Sequence, residues 1–388
     1  MAVARRTLTR TFENFFSSEK SSGILLIACT VVSLTLANSV VGPRYLGVFS
    51  VYLGGLSVEH WINDGLMTVF FLLIGLELKR EFYNGELSNF KTALLPIFAA
   101  LGGIAVPAAI HFCLNSGGPG QRGIGIPVAT DIAFALGALA LLGSRIPASL
   151  KVFLTALAVM DDLGAIVIIA IFYTSQLSTV YLLGAVAVFG LMVGLNRLAR
   201  IRSLAAYVIG GVLLWFLVLK SGVHATMAGV MLAFAIPFST RDDDEQSPSH
   251  RLEHLLHKPV AFLILPIFAL ANTGVVLTHD WAQTLSSANS TGIMAGLVVG
   301  KPLGITLVSF LVVAAGMCRL PSDLSWRDIF GAGLLGGIGF TMSIFITNLA
   351  FPGDLAMINA SKVAILLASL VAGVLGFLWL RLVSKSIR

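Results

Sequence analysis

Apolar runs of about twenty residues recur along almost the whole chain, each broken by a short polar segment, and this period predicts a bundle of membrane-spanning helices. The runs place span 1 at about Gly23–Val41, span 2 at His60–Leu78, span 3 at Ala93–Leu114, span 4 at Gly123–Leu142 and span 5 at Val152–Phe172. Spans 6 to 8 follow at Val180–Leu198, Leu204–Leu219 and Val223–Phe238, then span 9 at Pro259–Val276 behind an amphipathic start, span 10 at Gly292–Val313, span 11 at Ile329–Leu349 and span 12 at Val363–Leu382. The fold class expected is therefore an all-α polytopic membrane protein of about twelve transmembrane helices, forming one domain over residues 1–388.

Three departures from the pattern stand out. Residues 1–22 are basic with interspersed phenylalanines and predict an amphipathic segment on the membrane surface. Between spans 1 and 2, β-branched and aromatic residues flank Gly54-Gly55, which predicts a small β-hairpin near Val48–Val58. Residues 239–250, with the acidic run Asp242–Glu245, predict a polar cytoplasmic loop.

Composition removes the soluble alternatives. Only 11% of residues are charged, against about a quarter in soluble domains. The net charge of +6 would suggest a nucleic-acid partner in a soluble protein, but these basic residues sit between apolar runs and read as topology signals, so the partner is the lipid bilayer and no nucleic acid is expected. A cytoplasmic N-terminus puts every Lys and Arg on the cytoplasmic side except Arg44, Arg122 and Lys220, with Lys301 and Lys362 inside apolar runs. Both termini are then cytoplasmic. Arg5, Arg6 and Arg10 ahead of the first apolar run imitate a signal peptide, but the run is long and has no A-x-A cleavage pattern, so it reads as a retained span. Cys29, Cys113 and Cys318 are isolated and lack metal-ligand spacing.

Charge inside apolar runs marks the candidate chemistry, because it is costly there. Asp161 and Asp162 stand together in the middle of span 5. On a helix they point about 100° apart, so one can pair with a cation while the other faces a water-filled cavity. Lys301, at mid-depth in span 10, is the natural partner for one of them. Spans 4 and 11 are each interrupted by Gly or Pro, and each is second in a group of three, spans 3–5 and 10–12. Paired interruptions of this kind point to inverted-topology repeats in which two broken helices cross at mid-membrane around a binding site. Asp131 would compensate the positive helix ends there and Lys301 the negative ones, with a simple structural ion pair as the alternative.

Buried carboxylates suit a hard cation such as Na+ or Li+, and protons compete for the same oxygens; Thr130 and Asp64 are the nearest further oxygen donors. Competition at a site open alternately to either side is enough for antiport. Glu77, Arg80, Glu81, Glu253, His254 and His257 gather at the cytoplasmic ends of spans 2 and 9, where they either titrate with pH or simply snorkel to the interface. His224 reads first as a packed histidine and second as a sensor. The Gly331–Gly336 spelling imitates a dinucleotide loop but lacks a preceding strand, so no cofactor is expected. Gly292, Gly296 and Gly300 read as close helix packing.

Taken with Trp61–Met67, Ala129–Gly137, Asp161–Ala165, Lys220–Thr226, Gly300–Gly304 and Gly337–Ser343, the chain resembles the bacterial NhaA-type sodium/proton antiporters over essentially its whole length. The family is itself one of the known examples of inverted-repeat transporters. The resemblance implies electrogenic, pH-regulated exchange of Na+ or Li+ for protons across a bacterial inner membrane. It implies that Asp162 carries the cation and proton, that Asp161 pairs with Lys301, and that Asp131 and Lys301 compensate the crossed helices. It assigns Glu77, Arg80, Glu81, Glu253, His254 and His257 to pH sensing and the hairpin to a homodimer contact. Two other classes remain: a sodium-coupled symporter on a related fold, and an intramembrane aspartyl protease. The protease needs aspartates facing each other from different helices, commonly in a Gly-x-Gly-Asp setting that is missing here, so the chain is expected to be a transporter and not an enzyme.

Overall fold

The computed structural model describes residues 21–85, 88, 90–174, 177–239, 247–277 and 281–383. Residues 1–20 and 240–246, the bulk of the expected surface segment and polar loop, lie outside the described residues. An apolar stretch in lipid must satisfy its own backbone polar groups, and helices are the local way to do so. In chain order these are α1 (Ser21–Ala37), α2 (Gly42–Phe49), α3 (Val58–Tyr83), α4 (Ala93–Asn115), α5 (Ile132–Leu141), α6 (Ala148–Phe172), α7 (Thr179–Arg197) and α8 (Leu204–Ser221). They continue with α9 (Met227–Ala235), α10 (Pro248–Asn272), α11 (Ala288–Ala314), α12 (Trp326–Gly336), α13 (Phe340–Ala350) and α14 (Leu355–Val383). A 3-10 helix, Pro119–Val128, precedes α5.

Eight of these helices are individually long and apolar enough to cross a membrane, and three interrupted pairs raise the number to as many as 11. The span expected at Val223–Phe238 is present only as α9. Its nine residues reach about 14 Å, roughly half the hydrocarbon thickness. Gly222, at φ 87°, ends α8 in left-handed geometry, and α9 is followed closely by Pro237. The polar stretch before span 9 is shorter than expected, because Ser247 caps α10 by accepting from His250 N and the helix begins at Pro248.

The hairpin consists of β1 (Tyr52–Leu53) and β2 (Leu56–Ser57), antiparallel, with Tyr52 opposite Ser57 and Leu53 opposite Leu56. Gly54 and Gly55 supply φ 61° and 90°, the two positive values a tight type I′ connection requires. It is shorter than its expected range because Gly42–Phe49 is helical, with a proline in the first turn where its missing N–H does no harm.

The chain divides into two compact units. One takes in the described parts of Met1–Asn38, Lys91–Gly164 and Asn272–Arg388, the other Ser39–Phe90 and Ala165–Ala271. Both interrupted spans of the repeats belong to the first unit, bent by 44° ahead of α5 and by 48° between α12 and α13. Glycines allow close approach there. A side chain on Gly102 of α4 or Gly304 of α11 would run into the other's carbonyl oxygen, while Gly296 and Gly300 lie against Pro127 and Pro107. Gly331 faces Leu380 and Trp379, and Gly333 faces Pro302, so this glycine series serves helix packing inside α12. Helix α11 widens to π geometry over Gly296–Gly300, just ahead of Pro302, which has no N–H to contribute. In the second unit, Gly229 of α9 lies on the Thr68 carbonyl of α3, and Tyr207, Leu214 and Val218 of α8 form a core with Ala185 and Met192 of α7.

Gly304→Ala is expected to destabilise the protein by about 1–3 kcal/mol through overpacking. Gly194→Ala, at a helical position where an added Cβ meets nothing within 4 Å, should be neutral or slightly stabilising. Thermal unfolding of both variants in detergent checks the difference.

Candidate functional site

Breaking a helix inside a membrane leaves donors and acceptors without intrahelical partners. In the first unit the two broken spans satisfy each other. The backbone N–H of Asp131 donates to Ile338 O at 2.6 Å. The Asp131 carboxylate caps both second halves: Oδ1 accepts from Phe134 N at 3.1 Å in α5, and Oδ2 accepts from Thr341 N at 3.1 Å and Thr341 Oγ1 at 2.5 Å in α13. One negative charge therefore sits at two helix N-termini, where the peptide dipoles favour it. The opposite ends are met by hydroxyls. Ser343 Oγ donates to Ile126 O at 2.7 Å near the end of the 3-10 helix, and Thr130 Oγ1 lies 2.8 Å from Gly336 O at the end of α12. Each broken span thus lends a hydroxyl to the other's C-terminal end.

Lys301, Asp161 and Thr130 form a buried triad beside this crossing, all with 0% exposure. Lys301 Nζ pairs with Asp161 Oδ2 and donates to Thr130 Oγ1 at 2.9 Å. Thr130 Oγ1 is also 2.6 Å from Asp161 Oδ2, so its single proton serves either Asp161 or Gly336 O. Lysine therefore reaches the α12 C-terminus through Thr130, where the sequence suggested direct compensation. Asp161 Oδ1 is buried with no hydrogen-bond partner. Asp162, on the next position of α6, is 1% exposed. Among the described residues no group of three His, Cys, Asp or Glu side chains comes together as a metal centre. The arrangement places two sequence-adjacent buried carboxylates on α6, one of them paired with a buried ammonium.

The remaining candidates belong to the second unit. The Asp64 carbonyl accepts from Thr68 Oγ1 and from Trp215 Nε1, the latter at 3.1 Å. Arg80 Nε donates to Glu253 Oε1 at 2.8 Å, and its Nη1 lies 3.1 Å from Glu81 Oε1. Glu77 and His257 are half-buried and His254 is exposed. His224 Nε2 lies 2.8 Å from Tyr173 O. A carbonyl only accepts, so this nitrogen carries the ring proton.

Reasoning from sequence did not single out Thr341, Ser343 or Lys79. The two hydroxyls lie directly after the Gly337–Gly339 break, which is the available signal. Lys79 Nζ donates to Ala233 O and Phe234 O, each at 3.2 Å, and to Ile236 O at 2.5 Å, closing the C-terminal end of the short α9. Nor did the sequence reveal a buried polar chain in the first unit, in which His111 Nε2 meets Asn289 Oδ1 at 3.2 Å and Asn289 Nδ2 donates to Ser361 Oγ at 2.8 Å.

Lys301→Met leaves the Asp161 carboxylate buried without its cation and is expected to cost about 3–5 kcal/mol. Adding Asp161→Leu should recover much of that loss, as measured by chemical unfolding in detergent. Asp131→Ala removes caps from two helices at about 0.5–2 kcal/mol each. It should therefore destabilise clearly more than Thr341→Val in the same assay.

Residues 13–380 match the family model described as Na+/H+ antiporter 1. The Na(+)/H(+) antiporter NhaA of Dechloromonas aromatica is 69% identical over 380 residues, covering 98% of each chain. The protein of that name in Cytophaga hutchinsonii is 57% identical over 378 residues, covering 97% of each, and that in Mesorhizobium japonicum is 52% identical over 370 residues, covering 94% of this chain and 93% of the relative. With the family model matched across nearly the whole length and the relatives covered end to end, this chain belongs to the Na+/H+ antiporter 1 family.

Proposed function

We propose that this membrane protein exchanges Na+ or Li+ for protons at Asp162 and Asp161, exposed alternately to the two sides of a bacterial inner membrane. Family membership supports Na+/H+ antiport. The observation that carries the site assignment is the buried ion pair of Lys301 with Asp161, directly beside the fully buried Asp162. Asp162, the next residue on the same helix and 1% exposed, is the carboxylate whose negative charge a proton or a cation takes in turn. Asp161 Oδ1, buried with no hydrogen-bond partner, is a further oxygen for that cation. Electrogenic exchange requires more than one proton to leave for each monovalent cation loaded, and the two carboxylates together with the Lys301 ammonium are groups able to release them. Thr130 acts as a linker that holds Lys301 and Asp161 in register, and Asp131 holds the crossing together.

Regulation by pH is assigned to the second unit's charged cluster. Arg80 connects Glu81 on its own helix with Glu253 on α10, so a change in protonation there alters the link between α3 and α10. Both termini are placed in the cytoplasm on the strength of the Lys and Arg distribution. Contact between two copies is assigned to the hairpin, whose Tyr52 and Leu53 are exposed.

Asp162→Asn is expected to abolish Na+-driven proton movement in everted membrane vesicles. Undiminished Na+-dependent exchange in that variant would remove Asp162 from the mechanism. Glu253→Gln should shift the pH dependence of exchange while leaving the maximal rate nearly intact. An unchanged profile would detach the Arg80–Glu253 link from regulation.

A further inference from the structure

A groove of about 500 Å3 opens on the first unit between α11, α12 and α14, walled by Val299, Pro302, Phe330, Leu334, Leu375 and Trp379 among others. Its walls are apolar, and Pro302 ties it to the helix turn that carries Lys301. One end lies where α12 begins and α14 finishes. There the Trp379 ring stands 5.0 Å from that of Phe330, and Trp379 Nε1 donates to Arg327 O at 2.9 Å. Arg327 and Arg381 are exposed at this end, and among the described residues neither has an ion-pair partner. The nearest acid in sequence, Asp328, is turned to other use: its Oδ2 accepts from Ser325 N at 2.9 Å and Ser325 Oγ at 2.6 Å in the capping box that opens α12.

The chemistry of the two ends differs, and that difference selects the occupant. A gap among helices forfeits contacts unless something flexible fills it, and an acyl chain does so. Lipid tails are as apolar as leucine, so the chain alone brings no preference for one lipid over another. Two guanidiniums at the mouth do, because each presents a planar set of donors matched to phosphate oxygens. A zwitterionic headgroup brings its own cation to that mouth and loses most of the benefit. A tryptophan with an apolar face and one satisfied N–H is a residue suited to this depth of the membrane.

We propose that this groove binds an anionic phospholipid of the surrounding membrane, with an acyl chain against Pro302 and Leu375 and its phosphate on Arg327 and Arg381. Each arginine near the headgroup layer contributes about fivefold to the preference for an anionic lipid. The two together should give roughly 25-fold if their effects add.

Trp379 reports on the groove directly. In a protein whose other four tryptophans are phenylalanine, reconstituted in phosphatidylcholine vesicles, brominated-acyl phosphatidylglycerol should quench Trp379 at a far lower mole fraction than brominated-acyl phosphatidylcholine. Arg327→Gln with Arg381→Gln should abolish that difference. Native mass spectrometry of the otherwise unaltered chain gives a second reading, in which the same pair of substitutions should remove one tightly held phosphatidylglycerol. Equal quenching by both lipids, a preference that survives loss of both arginines, or an unchanged count of bound lipid would each overturn the proposal. So would an absence of quenching by either lipid, which would mean that protein fills the groove.

Discussion

Interrupting a helix in a medium without water creates unsatisfied N–H groups at one new end and C=O groups at the other, and the first unit is arranged around answering them. Two interruptions placed against each other solve the problem jointly. Asp131 caps two N-termini with one carboxylate, while Thr130 and Ser343 each reach across to the other span's C-terminal carbonyls. Because the partners are exchanged between spans, neither broken helix is satisfied alone. The crossing is therefore a specific junction, and the close glycine contacts on α4, α11 and α12 are what let the backbones approach it.

That junction also explains why a lysine and an aspartate can share a fully buried position. Taking both charges out of water is costly, and their attraction offsets the cost only with good geometry and further hydrogen bonds. Thr130 supplies the further bond and, through its contact with Gly336 O, ties the ion pair to the end of α12. The residue that holds the helix break is thus the residue that orients the charges. The Lys301–Asp161 pair is thereby connected to the crossing through the Thr130 hydroxyl.

The second unit meets the same constraint in another way. Helix α9 is too short to span, so its C-terminal carbonyls end inside the protein. Lys79 answers three of them from α3, one position before the Arg80 that bonds Glu253 of α10. A structural cation and the charged cluster assigned to pH response are neighbours on one helix turn, which gives a shift at Glu253 a short route to the packing of α9 on α3.

Much of this was legible in the amino-acid order. The length and spacing of apolar runs determined the helices, because lipid leaves the backbone no other local option. Gly54-Gly55 determined the hairpin turn, since only glycine adopts both positive φ values freely, and the Gly and Pro residues in spans 4 and 11 marked where helices must stop. The cost of charge at depth picked out Asp131, Asp161, Asp162 and Lys301. Other features were decided only by the fold. A run of apolar residues does not show that α9 stops after nine residues, because its end depends on Lys79 arriving from a helix far away in sequence. Thr341 and Ser343 look like ordinary small polar residues until the crossing brings them to Asp131 and Ile126. Periodicity along a chain records which residues must leave water; it does not record which distant partner will satisfy a buried donor or acceptor, and at this site Thr130, Lys301, Thr341 and Ser343 all find such partners on other segments of the chain.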